Sequence, residues 1–158
     1  MADARIFKDL KADHDRHRKM FAKLSDAKSD KREKLFEELR QELQAHAAAE
    51  EESLYSTMLA IPELRDEARH SVSEHKEIDD FLGELIELDI ASDDWSEKFG
   101  KLQHRYFHHI DEEEEEMFPE AAKTLSEADE ARIAKVFEKR KPKELEIAAE
   151  EKPGDERE

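Results

Sequence analysis

The sequence has no cysteine. Disulfides and thiolate ligands are therefore excluded, and any bound metal must be held by nitrogen and oxygen. Only three glycines and four prolines punctuate 158 residues, a scarcity that favours long helices over a sheet. No apolar run approaches the ~18 residues that cross a bilayer. The N-terminus also lacks the charged-then-apolar pattern of a secretory signal, so the expectation is a cytoplasmic protein that does not enter the membrane. Basic surface is missing too: the formal net charge is −17, which argues against nucleic acid or anionic membrane as a partner.

What remains is charge and helical periodicity. Charged residues make up 45% of the chain, and apolar residues recur at three- and four-residue steps, the spacing of one helix face. A first helix is expected from about Ala4 to Ser25, with the stripe Phe7, Leu10, His14, His17, Phe21 and Leu24. After a polar break, Asp30 and Glu33 suggest a capping box. The second helix, about Lys31 to Ala60, aligns Leu35, Leu39, Leu43, His46, Glu50 and Leu54. Pro62 fits the first turn of a third helix running to about Ile90, with Val72, His75, Ile78, Leu82 and Leu85 in line. Ser92, Asp93 or Asp94 would cap a fourth, about Asp93 to Met117, which carries Trp95, Phe99, Leu102, Tyr106, His109 and Glu113 and ends at Phe118-Pro119. A short fifth helix, about Glu127 to Arg140, would dock through Ile133, Val136 and Phe137. These elements form one domain, 1–140. The charged segment 141–158, with Pro142 and Pro153, is expected to be a flexible, disordered tail.

Imidazoles and carboxylates set into apolar stripes are costly to bury without a partner, and a metal ion suits both. Each half of the chain offers a lone histidine (His14, His75) and then a His-x-x-x-Glu pair (His46/Glu50, His109/Glu113). Positions i and i+4 share a helix face. Two hairpins packed with short loops give an all-α, antiparallel up-down four-helix bundle with approximate twofold symmetry, so the six side chains can meet at one level of its core. Four imidazoles and two carboxylates suit two metal ions about 3–4 Å apart: His14 and His46 on one side, His75 and His109 on the other, Glu50 and Glu113 bridging. Iron, manganese and zinc all fit these donors. His17, one turn from His14, is a hydrogen-bonding partner or an extra ligand, and Tyr106 either packs or hydrogen-bonds at the site. His70, His104 and His108 fall off the stripes and are expected at the surface.

The pattern His14…His46-Ala-Ala-Ala-Glu50…His75…His109-Ile-Asp-Glu-Glu113, with Glu-Glu-x-x-Leu-Tyr and Glu-Glu-x-x-Met-Phe-Pro at the glutamates, resembles the hemerythrin-like HHE domain over roughly residues 4 to 140. The resemblance implies two non-haem iron ions bridged by carboxylates, with an oxo or hydroxo bridge. It also implies handling of dioxygen, nitric oxide or peroxide in sensing, storage or detoxification. Oxygen-carrying hemerythrins have a second histidine four residues from the third-helix histidine, where this chain has Ser71 and Asp79. They also place an aspartate at a longer interval in the fourth helix. The missing histidine points away from reversible oxygen transport and toward redox turnover or metal exchange. Such turnover would need an external electron donor, since no reductase segment is present. The competing reading is an iron-dependent regulatory module whose fold stability reports metal loading.

Overall fold

The computed structural model describes residues 4–151, with Ser29 described by its backbone alone. Among these residues the chain is helical almost throughout and has no strand. The elements are α1 (Arg5–Asp26), α2 (Ser29–Glu50), a π-helical turn (Glu51–Tyr55), α3 (Ser56–Leu59), α4 (Pro62–Glu87), α5 (Asp93–Glu112), a second π-helical turn (Glu113–Met117), α6 (Phe118–Thr124) and α7 (Glu127–Glu150). Each π turn joins its neighbours into one longer rod. Four such rods make the bundle: α1, α2 with α3, α4, and α5 with α6.

Local chemistry accounts for most of the boundaries. Pro62 occupies the first turn of α4, where its missing N–H removes no intrahelical bond. Ser92 caps α5 by accepting from the Trp95 N–H at 3.1 Å, and Ser126 caps α7 by accepting from Asp129 at 3.0 Å. The Asp30–Glu33 capping box does not form, because α2 begins earlier, on Lys28, with no side-chain cap. Asp30 instead lies in the first turn, where its charge complements the helix dipole. The helix expected to stop at Phe118-Pro119 continues through both residues as α6. A prolyl ring normally strikes the carbonyl one turn back, and the wider π turn just before Pro119 makes room for it.

The largest correction concerns the C-terminus. α7 does not fray after Arg140 but runs to Glu150, packing mainly along α2 and also against α1. Pro142 lies inside it on the exposed side, where water can reach the carbonyl the proline leaves unpaired. Glu144 and Ala148 are buried. Arg40, 0% exposed, donates to the Ala148 carbonyl at 3.0 Å and the Glu151 carbonyl at 3.3 Å. A cation so placed satisfies terminal carbonyls and complements the negative end of the dipole. Residues 152–158 of the expected tail lie outside the described residues.

The apolar interior is divided in two. One cluster includes Ile6, Leu10, Met58, Phe118 and Phe137; the other includes Phe21, Leu39, Leu82, Trp95 and Phe99. Within the second, Phe21 stacks on Phe99 and Tyr106 with ring centres 5.5 and 5.6 Å apart. Between the clusters lies a level of buried polar side chains.

Candidate metal centre

That level is built by periodicity. His14 on α1, His46 and Glu50 on α2, His75 on α4, His109 on α5 and Glu113 at the second π turn are all 6% exposed or less, and they converge. The Nε2 atoms of His46 and His75 lie 3.6 and 3.3 Å from Glu50 Oε1. Those of His14 and His109 lie 3.4 Å from Glu113 Oε1 and Oε2. Glu50, His75, His109 and Glu113 form one group whose donor atoms are mutually within 4.8 Å, and His14, His46 and Glu50 form another. Glu50 belongs to both.

The opposite nitrogen of each imidazole meets a carboxylate, and the four pairings repeat between the halves. Asp13 holds His46 Nδ1 at 2.8 Å, as Glu74 holds His109 Nδ1 at 2.8 Å. Glu51 holds His75 Nδ1 at 3.0 Å, as Glu114 holds His14 Nδ1 at 2.7 Å. A carboxylate on Nδ1 fixes ring orientation and makes the inward nitrogen a better donor to a metal. The echo was visible in sequence, since Asp13-His14 matches Glu74-His75 and Glu50-Glu51 matches Glu113-Glu114. Its meaning was not, because each of these carboxylates serves a histidine on a different helix.

Tyr55 is the other residue the pattern concealed. It ends the first π turn, is fully buried, donates its hydroxyl to Glu113 Oε2 and stands 3.4 Å from His75 Nε2. Its counterpart in the repeat is Phe118, which stacks on His14 at 6.1 Å. A single oxygen thus distinguishes the two halves here. His17 differs as well: both ring nitrogens are engaged, Nδ1 with the Tyr106 hydroxyl at 2.6 Å and Nε2 with Glu42 at 3.2 Å. His70, His104 and His108 are exposed.

The electrostatics are those of a cluster in need of cations. Burial and the neighbouring Glu113 carboxylate push Glu50 up to about 8. Burial also works against Glu113, but His109 and His14 outweigh it and hold this carboxyl well below its usual range. Burial opposes charge on His14 and His75, yet Glu113 and Glu114 lift the first to about 9 and Glu50 and Glu51 lift the second to about 10. Burial wins at His46, which falls to about 3. Asp13 resists burial and is driven down by His46 and Lys141. Several inward atoms, namely His14 Nε2, His46 Nε2, both Glu50 oxygens and Glu113 Oε1, are buried without a hydrogen-bond partner. Orphaned buried polar atoms are rare and costly, and here they point at one another. Nitrogen and oxygen donors with free lone pairs fit a divalent or trivalent metal.

Two recesses approach this level. A cavity of about 220 Å³ reaches Ser71, Glu74, His109, Glu113 and Met117. A shallower groove of about 640 Å³ runs past Glu51, Val72, His75 and Gly83.

The sequence model described as the hemerythrin HHE cation-binding domain matches residues 5–121. The chain belongs to that family. This HHE domain also resembles the crystal structure of a hemerythrin HHE cation-binding domain-containing protein from Mycobacterium kansasii, with a TM-score of 0.77 and 23% identity over 93% of this chain and 90% of that one. At that identity the likeness concerns the fold alone. A comparison with curated proteins finds no match. The family match ends before α7, so the helix that covers α2 lies beyond it.

Proposed function

We propose that this HHE domain holds a pair of non-haem iron ions and reacts there with a small oxidant or diatomic molecule: dioxygen, nitric oxide or peroxide. The observation that carries the reading is the convergence of four imidazole Nε2 atoms on two glutamates, with every Nδ1 already held by a carboxylate. His14 and His46 would hold one ion and His75 and His109 the other, with Glu50 and Glu113 between them. When bound, the metal pair supplies Lewis acidity and electrons for redox chemistry.

The chain's own residues do the rest. The four carboxylates behind the histidines keep the rings from swinging. The apolar clusters above and below exclude water, which strengthens every electrostatic interaction at the centre. The cavity beside His109 and Glu113 is large enough for a diatomic molecule or peroxide. Tyr55 holds a proton at its hydroxyl within the site, since burial and the carboxylates Glu113 and Glu50 raise its pKa. Turnover would draw on an electron donor outside these residues.

The test is metal content and the near-ultraviolet and visible spectrum of protein loaded with iron, followed by rapid mixing of the reduced form with dioxygen and with nitric oxide, and of the oxidised form with peroxide. About two irons per chain, with absorption bands that change on mixing, is the expected result. Iron that binds but leaves the bands unchanged with all three small molecules refutes the reactivity. A regulatory reading has one observation in its favour: the donors come from all four rods, so loading must tie the rods together. Equal protease resistance with and without metal would exclude it.

A further inference from the structure

The C-terminal helix α7 reaches the candidate centre. Lys141 on α7 extends between α1 and α2, its side chain 12% exposed, and its Nζ donates to Asp13 Oδ2 at 2.8 Å and to Glu42 Oε1 at 2.7 Å. The same Asp13 oxygen receives His46 Nδ1 at 2.8 Å. Arg16 completes the cage by donating to Asp13 Oδ1 at 2.9 Å and to Glu42. A fixed cation therefore sits directly behind the carboxylate that orients His46.

The other half of the repeat is built differently. Glu74, the counterpart of Asp13, receives His109 Nδ1 on Oε1, while its Oε2 faces His70, 3.5 Å away and 56% exposed. No lysine from α7 braces it among the described residues. One imidazole is thus backed by a nearly buried salt bridge and its symmetry mate by a solvated one. Two sites with identical ligands are made unequal by what stands behind them.

We infer that Lys141 is a positioning residue of the metal centre, locking Asp13 so that His46 presents its inward nitrogen, and that it makes the ion beside His46 the more tightly held of the pair. The inference rests on the metal reading above and adds to it a role for a residue that lies beyond the family match. Partners of ligating histidines are worth roughly 10- to 100-fold in metal affinity. Lys141→Met keeps the length and the apolar stem of the side chain and removes the charge; Lys141→Arg keeps the charge.

The experiment is titration of the metal-free full chain with cobalt(II) against a competing chelator, following the visible ligand-field bands of each bound ion, for the wild type and both variants. Thermal midpoints of the metal-free forms are measured alongside. Lys141→Met is expected to weaken one of two binding steps about tenfold or more, leave the other within twofold, and shift the bands of the weakened ion. Lys141→Arg is expected to restore most of the loss. Two unchanged steps overturn the inference while leaving the metal reading intact. Equal weakening of both steps, tracking a fall in the metal-free midpoint, also overturns it, because Lys141 would then be a packing residue only. A wild type that binds no cobalt overturns both.

Discussion

At the scale of single residues, the inward donors were readable and their supports were not. His14, His46, Glu50, His75, His109 and Glu113 declare themselves because helical spacing alone puts each on a buried stripe. Asp13, Glu51, Glu74 and Glu114 lie one position off those stripes, where a solvated carboxylate is the ordinary expectation. They are recruited by a neighbouring helix, and that contact exists only after packing. Tyr55 was hidden for a similar reason, since the π turn that aims it leaves no mark in composition. Two residue-level outcomes follow. Glu50→Ala removes the carboxylate common to both donor groups, and metal analysis of the purified variant should find bound metal lost. Tyr55→Phe reproduces the Phe118 arrangement, so binding should persist. With the Tyr55 hydroxyl gone, the single-turnover rate with peroxide should fall by about 10²-fold. An unchanged rate would show that Tyr55 is a packing residue.

At the scale of elements, four rods of the bundle were legible and α7 was legible only in part. Charge density and Pro142 marked the segment after Arg140 as a tail. The helix persists because its inner face finds α2, burying Ala148, and because Arg40 waits at its end. Nothing in the sequence of α7 foretells a cation supplied from a residue more than a hundred positions earlier. Arg40→Met should therefore destabilise the protein by about 1.5–3 kcal/mol, the scale of a charged hydrogen bond lost from a buried group. Urea unfolding of the metal-free protein measures it. Protection of α7 amides should fall more than that of α5, since the terminal carbonyls lose their partner first.

At the scale of the whole molecule, proton binding and metal binding oppose each other. The raised His14 and His75 stabilise the metal-free fold fully below about pH 6.5, and that contribution is lost as pH rises through about 9 and 10. Glu50 acts in the same sense, its burial penalty growing from about pH 4.5 until it is complete above about 8. His46, lowered to about 3, works the other way, and its contribution is lost as pH falls below 6.5. Between pH 7 and 9.5 the first three dominate, so the thermal midpoint of the metal-free protein should drop by roughly 5–10 °C. Metal held by these side chains, as proposed, would displace the same protons. Loading at pH 7 in weak buffer should release about two to three protons per chain, read with an indicator dye. Release of none would mean that metal does not take the place of protons on His14, His75 and Glu50.

The polar seam between the two apolar clusters also bears on cooperativity. A bundle whose interior is cut across by charge should behave, without metal, as two weakly joined folding units, one around Phe21 and Trp95 and one around Met58 and Phe137. Native-state amide exchange would then show two separate opening energies. An ion gripped from all four rods sews the units together, and the two openings should merge into one.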